Sequence, residues 1–323
     1  MTVDINGPIV VTGGNSIYTT FTRGDTTTAF SATGGTGSLT LRKSSSNSNI
    51  VFDTASSTLR VTGSLAAGTY VETIVATDSL GVTGYETITI VVAAAITITG
   101  RFTESTTVGY AITTLGFTAA NGTGSKTFSL LPYNQYLTID SNTGAITVAV
   151  GIDTGTYTES LTATDSLGVS TTVLMKIVVN QMVAIGGGSN ITTTIGTAKN
   201  STAFTSTLGT GNKRFSISPT TTGVSIDSIT GIVSVSASKA AGVDTFTVTV
   251  TDSVGATATK DFLITVNGAI SISAGSNITT TFGRADSSTA FIATGGTGTL
   301  TFTLPNGISG MSIDQQGIVR VTG

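Results

Sequence analysis

The segment Ala76-Thr77-Asp78-Ser79-Leu80-Gly81 returns as Ala163-Thr164-Asp165-Ser166-Leu167-Gly168 and as Val250-Thr251-Asp252-Ser253-Val254-Gly255, a constant step of 87 residues. Phe30, Phe117, Phe204 and Phe291 keep that step, as do Asp53, Asp140, Asp227 and Asp314, and Gly68, Gly155 and Gly242. Landmarks so far apart hold one period only if a whole folded unit repeats, so the chain reads as an array. The count places repeats at residues 1–92, 93–179 and 180–267, and a fourth at 268–323 that stops before the counterparts of Gly242 and Asp252.

Inside one repeat the apolar residues alternate with Thr and Ser. Ser16 to Thr22, Thr28 to Thr33, Thr58 to Thr62, Tyr70 to Thr77 and Glu86 to Val92 are short runs rich in β-branched and aromatic residues, with Gly-rich turns such as Gly34-Gly35-Thr36-Gly37 between them. No apolar period of 3.6 residues persists, so the expectation is all-β: seven or eight short strands per repeat, closed as an antiparallel sandwich of immunoglobulin-like type. Alternation points Ile74 and Ala76 inward, with Leu161 and Ala163, and Val248 and Val250, at the matching places. Phe30, Phe117, Phe204 and Phe291 are expected at the centre of each core, because aromatic burial dominates core energetics.

The chain has 323 residues, no His, Cys or Trp, and only 10% charged residues. Apolar runs are far too short for a membrane-spanning helix, which excludes insertion by that route. Net charge is −3 with 14 Lys and Arg, leaving no basic stripe for a phosphate backbone, so nucleic acid is not expected as a partner. The junctions Ile90 to Ile96, Ile177 to Val183 and Ile264 to Ile270 are apolar and short. They lack the composition of flexible linkers, so neighbours are expected end to end, as a rod. Met1 to Pro8 has no basic region and no long apolar run, and is not read as a secretory signal.

Leu137-Thr138-Ile139-Asp140-Ser141-Asn142-Thr143-Gly144-Ala145-Ile146, then Gly155-Thr156-Tyr157, then Leu161 to Gly168, resembles the cadherin-like and immunoglobulin-like repeats found in tandem in bacterial surface proteins and phage fibres. The resemblance covers each whole repeat. It implies seven-stranded sandwiches that serve as spacers or adhesion modules, and it carries Asp78, Asp165 and Asp252 onto a position that in cadherins contributes to calcium binding. The three junctions contain no Asp or Glu, whereas calcium takes 6 to 8 oxygen ligands, several of them carboxylates. The residues themselves read as turns: each Asp accepts from backbone N–H groups two residues on, and Gly81, Gly168 and Gly255 supply a permissive backbone. No metal and no cofactor are expected.

Arg23-Gly24-Asp25 is matched by Arg284-Ala285-Asp286, which reads as a common loop pairing Arg with Asp. With no His and no Cys, a nucleophile lacks its usual base, and no enzyme is expected. Three functions remain: a structural protein of a virion (fibre, tail or capsid decoration), a cell-surface adhesin stalk or extracellular filament, and a carbohydrate-binding module. The expected partners are other structural subunits, as a homo-oligomer or part of a larger assembly, and a host-surface glycan or protein. The fourth repeat, lacking its last two strands, is expected to be completed by further chain or by strands of another subunit, with Met1 to Pro8 as one donor.

Overall fold

The computed structural model describes residues 1–305 and 308–323. It is all-β; every named element is a strand. Internal packing divides the chain into two units, Met1–Ser105 with Ala111–Val179, and Thr106–Tyr110 with Asn180–Gly323.

In the first unit the first repeat contributes nine strands: β1 (Val10–Gly13), β2 (Ile17–Thr20), β3 (Asp25–Thr26), β4 (Phe30–Thr33), β5 (Thr40–Lys43), β6 (Ile50–Asp53), β7 (Thr58–Val61), β8 (Gly68–Thr77) and β9 (Thr83–Ala93). They form a four-stranded sheet in the order β2-β9-β8-β5, a three-stranded sheet β3-β7-β6, and a pair β1-β4. The break at Gly13 and Gly14, both at positive φ, ends β1. The chain then switches from antiparallel pairing with β4 to parallel pairing with β9, Ile17 opposite Ile90 and Thr20 opposite Ala93.

The alternating faces meet in one core. Ile17, Ile74, Ala76, Ile88, Ile90 and Val92 come from the four-stranded sheet, Ile50, Leu59 and Val61 from the three-stranded one, and Val11 and Phe30 from the pair. Two sheets sharing a core through alternate residues make a β-sandwich. The second repeat pairs Lys126–Leu131 with Gly155–Asp165 and that strand with Ser170–Asn180. Its inward Leu161 and Ala163 are fully buried. In the second unit, Ile191–Thr194, Thr257–Asn267, Gly242–Thr251 and Arg214–Ser218 repeat the four-stranded order, again with a parallel edge, Ile191 opposite Ile264. The core gathers Phe204, Phe215, Phe246 and Phe262 with Val248 and Val250. Fully burying one such side chain stabilises by about 1.5–3 kcal/mol.

Low charge is balanced on the outer faces by hydroxyls. Thr12 and Ser31, Thr162 and Thr172, Thr113 and Thr147, and Ser271 and Thr294 are directly opposite in register, and their oxygens lie 2.9, 2.8, 3.1 and 2.8 Å apart. Such cross-strand pairs do what opposite charges do on other sheets.

The described residues of 268–323 form only a pair, Ser271–Ser273 with Ile292–Thr294, and a three-stranded sheet of Asp286–Ser287, Val319–Val321 and Met311–Ile313. Residues 278–281 and 301–304, the counterparts of β2 and β5, are not strands, because the long strands they would pair with have no counterpart within the chain. The expected core role of Phe291 is corrected accordingly: it is half-buried, whereas Phe30, Phe117 and Phe204 are 3%, 5% and 2% exposed. Among the described residues of the fourth repeat there is no counterpart of β8 and β9, whose Ile74, Ala76, Ile88, Ile90 and Val92 share the core with Phe30.

Candidate functional site

The repeated Asp-Ser-x-Gly segments begin as local turns. Asp78 Oδ1 accepts from the Leu80 and Val82 N–H groups, both at 2.9 Å. Asp165 does the same with Leu167 and Val169, and Asp252 with Val254 and Ala256. Gly81, Gly168 and Gly255 sit at φ of +83°, +83° and +91°, which suits a residue without Cβ. Asp53, Asp140, Asp227 and Asp314 accept likewise from N–H groups two residues ahead, at Ala55, Asn142, Ile229 and Gln316.

The second carboxylate oxygen of the first set reaches a different loop. Oδ2 accepts from the N–H of Thr36 in the first repeat, Thr123 in the second and Thr210 in the third, at 2.8, 3.0 and 2.8 Å. The next serine completes a clamp on the same threonine, its hydroxyl donating to the carbonyl: Ser79 to Thr36, Ser166 to Thr123 and Ser253 to Thr210. Each clamped threonine lies between glycines. A Cβ on Gly122 would fall 2.7 Å from Ile96 Cγ1 and 3.1 Å from Asp165 Oδ2, at a φ of +63°.

Onto this clamp comes a threonine from the preceding repeat of the sequence. In the first unit the Thr20 hydroxyl, at the end of β2, lies 2.5 Å from Asp165 Oδ2 and 2.8 Å from the Thr123 hydroxyl. In the second unit Thr107, from the Thr106–Tyr110 segment, makes the same two contacts, 2.5 Å to Asp252 and 2.8 Å to Thr210. Thr194 meets Thr297 at 2.8 Å. Backbone bonds hold the same loops to the start of their own repeats: Gly122 N–H donates to Ala94, Gly209 to Gln181 and Gly296 to Gly268, as Gly35 does to Gly7 in the first. Asn180 and Asn267 add amide bonds to the hydroxyls of Thr210 and Thr297. Thr20 and Thr107 are fully buried, so each bond forms away from competing water.

Burial pushes the Asp165 and Asp252 carboxyls up, and the N–H and threonine hydroxyl donors outweigh it, leaving both below the ordinary carboxylate value. Asp78 is also lowered, the Thr36 N–H being the largest cause. Donors occupy both oxygens of all three aspartates, which puts hydrogens where a cation would need lone pairs. Among the described residues no group of three acidic side chains is placed to hold a metal, and no helix is long and apolar enough to cross a membrane.

Arg23-Gly24-Asp25 forms a tight loop after β2, with Arg23 N–H donating to the Thr20 carbonyl. Arg284 and Thr281 repeat the bond. What reading the residues one turn at a time missed is Thr20, Thr107 and Thr194, the clamped Thr36, Thr123 and Thr210, and their counterpart Thr297. Both sets keep the 87-residue step of the aspartates, and that shared period was the available signal.

Paired sheets around one core, repeated in series, make the chain a tandem array of immunoglobulin-like, cadherin-like β-sandwiches. Its fold is similar to the I67–I69 fragment of the titin I-band, at 10% identity over 81% of this chain and 99% of that one, with a TM-score of 0.41. It is similar to mouse cadherin-23 EC22–24, at 15% identity over 81% and 99%, TM-score 0.31. The human desmocollin-1 ectodomain matches at 12% identity over 98% and 73%, TM-score 0.36. No protein-family model matches the chain, and no curated protein matches it significantly.

Proposed function

We propose that the chain is a non-enzymatic structural protein whose sandwiches act in series as a spacer in a virion fibre, tail or capsid decoration. The observation that carries this reading is the junction itself. The same buried Thr–Thr–Asp arrangement, in which Thr20 meets Thr123 and Asp165 and Thr107 meets Thr210 and Asp252, recurs at one period. A module selected for catalysis has no use for repeating its connection so closely. A spacer does, because reach scales with the number of identical, stiffly joined units. The folding units are residues 1–92, 93–179, 180–267 and 268–323, the last incomplete by itself. Other structural subunits are its partners, as a homo-oligomer or part of a larger assembly. The lack of His and Cys, and the commitment of the periodic aspartates to backbone donors, support a non-enzymatic role.

Antibody raised against the chain, followed by gold labelling, tests the assignment. Label on projections of purified virions is the expected result. Label on a cell envelope instead assigns the spacer to an adhesin stalk or extracellular filament, and recovery only as free, unassembled protein contradicts both.

A further inference from the structure

The long strand that begins at Gly68, Gly155 or Gly242 carries Glu72 in the first repeat, Glu159 in the second and Phe246 in the third, all at the same place in the 87-residue count. All three are buried, at 1%, 3% and 0% exposure. Their surroundings differ in a specific way. Glu72 is satisfied by the loop opposite: Ser45 donates its N–H at 3.1 Å and its hydroxyl, Ser44 its hydroxyl at 3.2 Å. The residues that match Ser44 and Ser45 in the second repeat are Leu131 and Pro132, which have neither hydroxyl nor, at the proline, an N–H. The third repeat also has a proline there, Pro219, and has Phe246 in place of the acid. Only the second repeat removes the donors and keeps the carboxylate.

Glu159 Oε2 is consequently buried with no hydrogen-bond partner among the described residues. Leaving such a group unmatched costs more than forming a typical hydrogen bond gains, and burial holds this carboxyl above its ordinary value. The residue forms part of the wall of an open cleft of about 540 Å³, together with Asp153, Tyr133, Asn134, Tyr136 and Tyr157. Tyr133 is 85% exposed at the rim, an unusual place for a large ring. No Lys or Arg lines the cleft, and neither Glu159 nor Asp153 takes part in an ion pair among the described residues. Two carboxylates without a counter-charge, one deep and one near the surface, stand among three aromatic rings.

We propose that this cleft binds a primary ammonium group carried on a short alkyl stem, the chemistry of a lysine side chain. The ammonium supplies the donor that Leu131 and Pro132 do not, through a charge-assisted bond to the Glu159 carboxylate. Tyrosine rings favour a cation and its alkyl stem over a neutral polar group. This binding function is separate from the spacer role and stands or falls without it.

Calorimetric titration of the full chain with Nα-acetyl-lysine methylamide, and with its neutral Nε-acetylated counterpart, tests the site. The charged probe should bind saturably, and the neutral one at least about tenfold more weakly. Glu159→Gln should lose affinity by the same factor, and Tyr133→Ala, at an exposed position, should lose about threefold. Thermal unfolding of both variants separates lost binding from lost folding, and Tyr133→Ala serves as the surface variant if Glu159→Gln fails to fold. No binding of the charged probe, equal binding of both probes, or undiminished binding by Glu159→Gln overturns the proposal. So does selective binding of neutral glucose, galactose or N-acetylglucosamine, which would reassign the cleft to a glycan.

Discussion

The Thr20 hydroxyl meets the Asp165 carboxylate at 2.5 Å across 145 residues of sequence, and both side chains are buried. One aspartate thereby does two jobs. Its Oδ1 shapes the turn between the two long strands of its own sandwich, and its Oδ2 receives both the clamped Thr123 and the threonine arriving from the preceding repeat. Turn and junction are coupled through a single group, so a change at either is felt at the other.

The glycines of the clamp separate backbone strain from contact. Gly122→Ala places a Cβ against Ile96 and Asp165 at a positive φ, and should destabilise the first unit by roughly 2–4 kcal/mol. Gly168→Ala carries a φ of +83° but has open space around it, so only the left-handed backbone cost of about 1–2 kcal/mol remains. Denaturant titration of the two variants should rank them in that order.

Acid should loosen the junctions. Asp165 and Asp252 are lowered in the folded protein, so their contribution is fully present above the unfolded carboxylate value and is lost as pH falls through the folded one. The chain has no His or Cys. The contribution of these two aspartates to the melting temperature should therefore be flat from about pH 5 to 8 and fall below about pH 4. Asp165→Asn should flatten the acid limb and lower the neutral plateau.

The two buried glutamates should respond with opposite signs to one substitution. Glu72→Gln disturbs a carboxylate held by Ser44 and Ser45, and should cost about 1–3 kcal/mol. Glu159→Gln removes a buried charge with an unmatched oxygen, and should stabilise by about 1 kcal/mol in the absence of ligand. Because Glu159 is raised in the folded protein, its penalty grows as pH rises, and the gain from Glu159→Gln should be larger at pH 7 than at pH 4. Melting temperatures of the two variants at both pH values check this.

Calcium should be without effect on stability. The oxygens of Asp78, Asp165 and Asp252 already accept from N–H and hydroxyl donors. Melting curves with millimolar calcium and with a chelator should superimpose to within about 1 °C, since a ligand that does not bind the native state adds nothing to it.

The sandwich was legible in the sequence because its cause is local and periodic. Alternation on β8 sends Ile74 and Ala76 inward, and both are fully buried. The parallel edge of β2 on β9 was not legible, since a four-residue strand after Gly13 and Gly14 can pair on either side of the sandwich and only tertiary packing decides. The threonine locks were hidden by composition: in a chain so rich in Thr, Thr20 has nothing to distinguish it except its step to Thr107 and Thr194. Glu159 was hidden for a different reason. Its meaning depends on what faces it, and Leu131 and Pro132 belong to another strand and loop whose register with Gly155–Asp165 only the structure supplies.

The central claim, that a buried threonine–aspartate bond joins one repeat to the next, is tested most directly by a double-mutant cycle read at the junction. The Gly122 amide, next to the Thr123 that Thr20 meets, donates to the Ala94 carbonyl, and its hydrogen exchange reports local opening. Thr20→Val and Asp165→Asn should each reduce its protection. The double variant should lose little more than the worse single one, giving a coupling of about 1 kcal/mol or more. Strictly additive losses, or Gly122 protection unchanged in Thr20→Val, would contradict the lock.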